Sequence, residues 1–184
     1  MTSPDVHSDI CAAAQGAPLG CAIIYRHFGA ADRRQTAHRL RQITFARGQQ
    51  FLIGNDPELC KAAGADGVHF TRSADLRGPS LWRGRCPDWL ITAAGLKGEN
   101  PKGKYSKEGY LAYSGDLSVV DGLFVSSVFH SASPSAGKAI GPERFAEICR
   151  ALNAPVIALG GVNAVSAPQL LSSGAAGLAG RFVF

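Results

Sequence analysis

Seven short apolar runs, most of them separated by enough chain for a helix, constrain this sequence more than any other feature. They are Cys21–Tyr25, Phe51–Ile53, Gly67–Phe70, Trp89–Ala93, Gly122–Ser126, Pro155–Leu159 and Gly177–Ala179. Continuous apolar runs of this length suit strands buried on both faces, as in a parallel sheet. The intervening segments predict helices over Ala31–Gly48, Pro57–Ala63, Ser106–Ser114, Gly141–Leu152 and Ala164–Ser173, with a shorter one over Asp9–Gln15. Gly48, Gly64 and Gly174 stand where helix terminators belong. Strand–helix alternation through a whole chain implies right-handed crossovers and an α/β architecture. Two stretches break the pattern. Arg72–Asp88 is rich in Arg, Gly, Pro and Ser and is expected to be mostly loop. Lys97–Lys107 is basic and full of breakers, and reads either as a solvated surface loop or as a flap carrying ammonium groups to a phosphate.

The 184 residues predict a single domain, residues 1–184. A closed (β/α)8 barrel (TIM barrel) needs eight strands, and here the first is expected to be truncated or missing, because only Met1–Leu19 precedes Cys21. A sheet left open has unpaired edges that a partner chain could cover, so a homodimer is one way to complete it. With 46% hydrophobic and 18% charged residues, the chain has the wrong balance for overall disorder. No apolar stretch reaches the roughly 18 residues of a membrane span, and Met1–Asp9 shows no signal pattern, so a cytoplasmic protein with no membrane partner is expected. The five cysteines form no C-x-x-C pair and read as buried or idle thiols. Lys and Arg outnumber Asp and Glu by 19 to 14, which suits a phosphate ester, while the aromatics do not interleave with the basic residues as a single-strand nucleic-acid binder requires.

In parallel barrels the chemistry lies just past the carboxyl ends of the strands. Reading there brings out Leu159-Gly160-Gly161-Val162-Asn163, where glycines would let backbone N–H groups approach an anion and the start of the expected helix would add its dipole. Gly180-Arg181-Phe182, after the last strand, would complete a phosphate cup. Gly54-Asn55-Asp56-Pro57 closes another strand and has two readings: an oxygen pair for Mg²⁺, or a helix N-cap followed by proline in the first turn. His27, His38 and His130 read as surface or packing residues. No P-loop, H-E-x-x-H, dinucleotide fingerprint or Ser-His-Asp order is present.

The stretch from Gly54-Asn55-Asp56-Pro57-Glu58-Leu59 to Gly64-Ala65-Asp66-Gly67-Val68-His69 resembles the "NDRVDLA" and "GADGVHLGQ" segments of thiamine-phosphate synthases. Val125–Phe129, Ala154–Val162 and Ser173–Ala179 resemble that family's "GPVFPTPTK", "IPVVAIGGI" and "AGADGVAVVS", in the same order. From about Cys21 onward the chain is therefore similar to the superfamily of thiamine-phosphate synthases and TenI-like thiazole tautomerases.

The resemblance implies a (β/α)8 barrel and a role in thiamine biosynthesis: joining hydroxymethylpyrimidine diphosphate to thiazole phosphate with release of diphosphate and the help of Mg²⁺. The expected partners are phosphorylated thiazole and pyrimidine small molecules. Arg26 takes the place of the arginine of "QLREK", with Ile24 and Phe28 standing where that motif has Gln and Lys. Asn55 and Asp56 match the pair that binds diphosphate and metal, and Asp75, one residue late, stands nearest the second metal carboxylate. Pro134 occupies the place of the "TPTK" lysine, and Lys138, four residues on, is the candidate to serve for it. Gly160, Gly161, Arg181 and Phe182 match the thiazole-phosphate loops. Ser127 stands where a tautomerase carries its histidine. A synthase-type transferase is thus the first reading, with a TenI-like tautomerase or a non-catalytic thiazole-phosphate binder as alternatives.

Overall fold

Among the described residues, seven parallel strands form one sheet, hydrogen-bonded in the order in which they occur in the chain. The structure is a computed structural model, and it describes residues 9–71, 77–97, 116–133 and 136–180. The strands are β1 (Ala22–Tyr25), β2 (Gln50–Gly54), β3 (Gly67–Phe70), β4 (Leu90–Lys97), β5 (Gly122–Ser126), β6 (Val156–Ala158) and β7 (Gly177–Leu178). The helices are α1 (Ile10–Gly16), α2 (Arg33–Ala46), α3 (Pro57–Ala63), α4 (Gly78–Arg85) and α5 (Pro142–Ala151), with 3₁₀ turns at Leu117–Val119 and Ala167–Leu170.

Alternation along each strand divides its side chains between two layers. Ile23, Tyr25, Phe51, Ile53, Val68, Ile91 and Leu123 face the helices and pack with Ala37, Leu40, Leu59 and Cys60. Val125, Val156 and Ala158 do the same with Phe145 and Ile148 of α5. The opposite face gathers Ile24, Leu52 and Phe124, with Leu90, Ile157 and Leu159 against them. His69 on β3 and Phe124 on β5 have ring centroids 4.9 Å apart although β4 runs between their strands. Two strand spacings on a flat sheet come to about 9.6 Å, so the sheet curls around this second face. Among the described residues no pairing joins β7 to β1, and the curl ends on those two strands.

Two expectations need correction. Within Arg72–Asp88, expected to be mostly loop, Gly78–Arg85 form α4, and residues 72–76 lie outside the described ones. The glycine and proline read there as breakers open the helix, with Pro79 in its first turn and buried, where a missing N–H costs nothing. The helix expected over Ala164–Ser173 is only a 3₁₀ turn at Ala167–Leu170. Pro168 lacks the N–H an α-helix would need at that point, even though Asn163 accepts from the amides of Val165 and Ser166 at 2.9 and 3.0 Å as a helix N-cap would. β4 also runs on to Lys97, and its register against β5 shifts between Ala94 and Lys97. The helix expected over Ser106–Ser114 and most of the Lys97–Lys107 loop lie outside the described residues.

Among the described residues no helix is long and apolar enough to cross a membrane. All five cysteines are free, and burial pushes the Cys60 thiol up to about 12, which keeps it protonated and inert.

Candidate functional site

The carboxyl ends of β5 and β6 build one side of the site. The backbone of Leu159 is tied to β5 and its loop, accepting from Val128 N and donating to Val125 O, both at 2.9 Å. Phe129 N donates to Gly160 O at 2.9 Å, so the turn after β6 lies flat against the loop after β5. Gly160 and Gly161 hold φ angles of +89° and +67°. A Cβ on Gly160 would sit 2.8 Å from Ser127 Cα, and one on Gly161 would sit 2.3 Å from the carbonyl oxygen of His130. No side chain fits at either place. Below the turn, Ser166 Oγ donates to Gly161 O at 2.9 Å and accepts from Asn163 N at the same distance. No backbone hydrogen bond within the described residues uses the amides of Gly160 or Gly161. The turn therefore offers donors to an anion, without the dipole of an α-helix behind it.

The carboxyl ends of β1 and β2 build the opposite side around Arg33, a residue the sequence reading passed over. Its terminal nitrogens donate to His27 O at 2.8 Å and Gly54 O at 2.9 Å, binding the end of β2 to the segment after β1. Its guanidinium also lies over the rings of Tyr25 and Phe28, at 5.2 and 5.3 Å from their centroids. Nothing local in the sequence separates Arg33 from Arg34 beside it, since both stand in the first turn of α2. Arg26 flanks the same ring, 5.9 Å from the Phe28 centroid. Its Cγ lies 3.2 Å from where a Cβ on Gly54 would stand.

Asn55 and Asp56 follow β2, and both side chains are engaged in the local structure. Asn55 has φ +53°, which asparagine tolerates better than most residues. Its Oδ1 accepts from Thr71 N at 2.7 Å and its Nδ2 donates to Thr71 Oγ1 at 2.5 Å, joining the ends of β2 and β3. Asp56 is the N-cap of α3, with Oδ1 accepting from Leu59 N at 2.9 Å and Pro57 in the first turn. Its Oδ2 lies 3.7 Å from Arg33 Nε. Mg²⁺ takes near-octahedral oxygen ligands. Here a single carboxylate, capping a helix and facing a guanidinium, stands beside an amide oxygen already in use. Among the described residues no three His, Cys, Asp or Glu side chains gather to hold a metal, so these residues as placed do not fit Mg²⁺.

Between the two sides, on the inner face of the curl, His69 is 2% exposed. Its Nδ1 lies 3.0 Å from Thr92 Oγ1, and its ring meets the edge of Phe124. Burial, helped by the charge of Arg26, lowers its pKa to about 3. The imidazole is therefore neutral at ordinary pH. Sequence reading named His69 only within the family-like motif, since nothing in the chain shows that Thr92 and Phe124 lie beside it.

Of the other expected site residues, Lys138 is exposed on the loop after β5. The return leg of that loop is fastened by Ile140 N to Ser127 O and Gly141 N to Val128 O, both at 3.0 Å. Asp75, Arg181 and Phe182 lie outside the described residues. The structure thus brings Arg26, Asn55 and Asp56 together at one side and Gly160 with Gly161 at the other.

Comparison with known proteins agrees with the motifs. The family described as thiamine monophosphate synthase matches residues 105–181. The thiamine-phosphate synthase of Alcanivorax borkumensis is 29% identical over 181 residues, covering 96% of this chain and 77% of the relative. A putative thiamine-phosphate synthase of Geobacter sulfurreducens is 27% identical over 146 residues, and the match spans 63% of its length. Among solved structures, the thiamine phosphate pyrophosphorylase of Pyrococcus furiosus superposes with a TM-score of 0.70 at 24% identity, covering 96% of this chain and 80% of that one. The chain is similar to this superfamily in sequence and shares its fold.

Proposed function

We propose that this chain, a relative of the thiamine-phosphate synthases, acts in thiamine biosynthesis as a transferase that joins hydroxymethylpyrimidine diphosphate to thiazole phosphate. The observation that carries the reading is the Gly160–Gly161 turn. It presents backbone amides at the carboxyl end of the sheet, with Arg26 at the same end of β1. The curled sheet of seven described strands is read as the greater part of a (β/α)8 barrel, a reading the likeness to the Pyrococcus furiosus structure supports.

In this reading the thiazole phosphate is anchored at the amides of Gly160 and Gly161, with Arg181 and Phe182 as the expected partners on the last loop. The pyrimidine diphosphate points its leaving group toward Arg26, with Lys138 on the loop after β5 as the second expected cation. The exocyclic C–O bond of the pyrimidine breaks and its electron pair departs with diphosphate. The thiazole nitrogen then uses its lone pair to form the new C–N bond. Fixed cationic donors at the leaving group lower the barrier to such a step, and the apolar face of Ile24, Leu52 and Phe124 limits capture by water. A neutral His69, held by Thr92, would place no like charge beside the cation that develops on the pyrimidine.

A second reading has an observation of its own. Asn55 and Asp56 are occupied by Thr71, Leu59 and Arg33, which favours a protein that keeps only the thiazole-phosphate half, as a tautomerase or as a binder. One experiment decides between them. Purified protein is incubated with both substrates and assayed for thiamine phosphate by mass spectrometry. Product above a no-enzyme control, lost in Arg26→Ala, supports the transferase. Folded protein that binds thiazole phosphate and makes no product supports the second reading.

A further inference from the structure

In the strand register His69 stands between Thr92 of β4 and Gly54, the last residue of β2. It thus lies level with the end of β2, on the face that the curl encloses. Its two ring nitrogens have different surroundings. Nδ1 lies 3.0 Å from Thr92 Oγ1, and the ring packs at 72° to that of Phe124. Among the described residues no hydrogen bond reaches Nε2. That atom is nevertheless not sealed in, although the residue as a whole is 2% exposed. Thr92 is itself buried, so the imidazole is held in one orientation with Nε2 at its open edge.

Around His69 and Thr92 this face is apolar among the described residues, formed by Ile24, Leu52 and Phe124 with Leu90, Ile157 and Leu159 against them. A polyol laid here would give up the hydration of several hydroxyls for one partner. A charged group would meet an imidazole that burial keeps neutral. A flat, uncharged ring with a nitrogen or amino group at its edge matches both the apolar surface and the single polar atom. We infer that His69 is a specificity-determining residue whose Nε2 hydrogen-bonds an uncharged heteroaromatic ring of the ligand, and that Thr92 is the residue that positions it. The inference rests on the proposed reading for the rings concerned, pyrimidine or thiazole. It adds a selection that phosphate contacts cannot make: they hold any phosphate ester, whereas a buried hydrogen-bonding group rejects a ring that offers it nothing.

The test uses the ring alcohols without their phosphates, so that phosphate contacts do not enter. The full chain, labelled with nitrogen-15, is titrated to millimolar concentration with the pyrimidine alcohol, with the thiazole alcohol, and with benzyl alcohol, which keeps a ring and a hydroxyl but has no ring nitrogen. The imidazole nitrogens are followed by NMR. At least one heterocycle should shift the Nε2 signal of His69, and whichever does so identifies the ring, while benzyl alcohol should leave the signal in place. His69→Leu, its thermal unfolding showing that it is folded, should bind that heterocycle about three- to tenfold more weakly and benzyl alcohol no more weakly. In Thr92→Val the Nδ1 signal should move in the free protein and the affinity for the heterocycle should fall. Thr92→Ser should restore both, which a threonine that only fills space would not require. No response of Nε2 to either heterocycle, an equal response to benzyl alcohol, or undiminished affinity in folded His69→Leu would overturn the inference. These readings are separate from the product assay. Product without a His69 response keeps the transferase and removes the inference, and a His69 response without product does the reverse.

Discussion

Asp66 and Arg41 form an ion pair of 2.9 Å at the amino-terminal rim of the sheet, and the same Asp66 oxygen accepts the backbone N–H of Phe51 at 2.7 Å. One strand pair along, the device recurs: Asp121 Oδ2 accepts from Ile91 N at 2.8 Å and from Arg83 at 2.5 Å. In both cases an Asp-Gly pair opens a strand and its carboxylate fastens the amide of the preceding strand. A third copy is lacking. Ala176 precedes Gly177 and bonds Val156 O through its own N–H at 2.8 Å, but it brings no carboxylate.

Asp66→Ala and Asp121→Ala should each destabilise the fold by about 1–3 kcal/mol, because an amide and a guanidinium lose their acceptor together. Conversely, Ala176→Asp would give Val156 N an acceptor and should stabilise by about 0.5–1 kcal/mol. Urea denaturation of the variants checks both signs, and a destabilised Ala176→Asp would show that β7 does not use the device.

Gly161→Ala should be worse than Gly160→Ala for folding and comparably bad for phosphate binding. At Gly161 the added Cβ lies 2.3 Å from a backbone oxygen, which cannot step aside. Positive φ adds strain at both positions, of order 1–3 kcal/mol. Melting temperature and titration with thiazole phosphate give the two readouts.

His69 should make stability fall in acid. With its pKa lowered to about 3, the folded state stays unprotonated where the unfolded chain, titrating near its ordinary value of 6.5, takes up a proton. Its contribution is complete above pH 6.5 and declines by up to about 1.4 kcal/mol per pH unit as the pH falls toward 3. Between pH 7 and pH 5 the loss is about 2 kcal/mol. In His69→Gln, whose amide can still reach Thr92, that slope should vanish. An unchanged slope would mean that His69 is protonated in the folded protein.

Arg33→Lys should fail to rescue what Arg33→Ala loses. A lysine carries one ammonium group and cannot reach both His27 O and Gly54 O in the fork geometry seen here. Each variant should lose about 1–3 kcal/mol, with amide exchange rising first in the segment after β1. Full rescue by lysine would reduce Arg33 to a simple positive charge.

The sequence by itself determined the parallel architecture, because strands buried on both faces must be apolar throughout and so mark themselves as runs. It also marked the Gly160–Gly161 turn, which is local in the chain, and offered the N-cap of α3 as one of two readings between which the structure chose. Pro79 was counted toward a loop and Pro168 was passed over, since proline's effect depends on whether it falls in the first turn of a helix or farther along. Only the tertiary structure decided that His69 lies against Thr92 and Phe124, that Arg33 holds the ends of β1 and β2, and that Asp56 answers to Arg33. Those contacts join residues on different strands and helices, 23 positions apart for His69 and Thr92. His69 meets Thr92 because parallel pairing sets the two side by side, and it meets Phe124 across β4 because the sheet curls; no spacing along the chain encodes either.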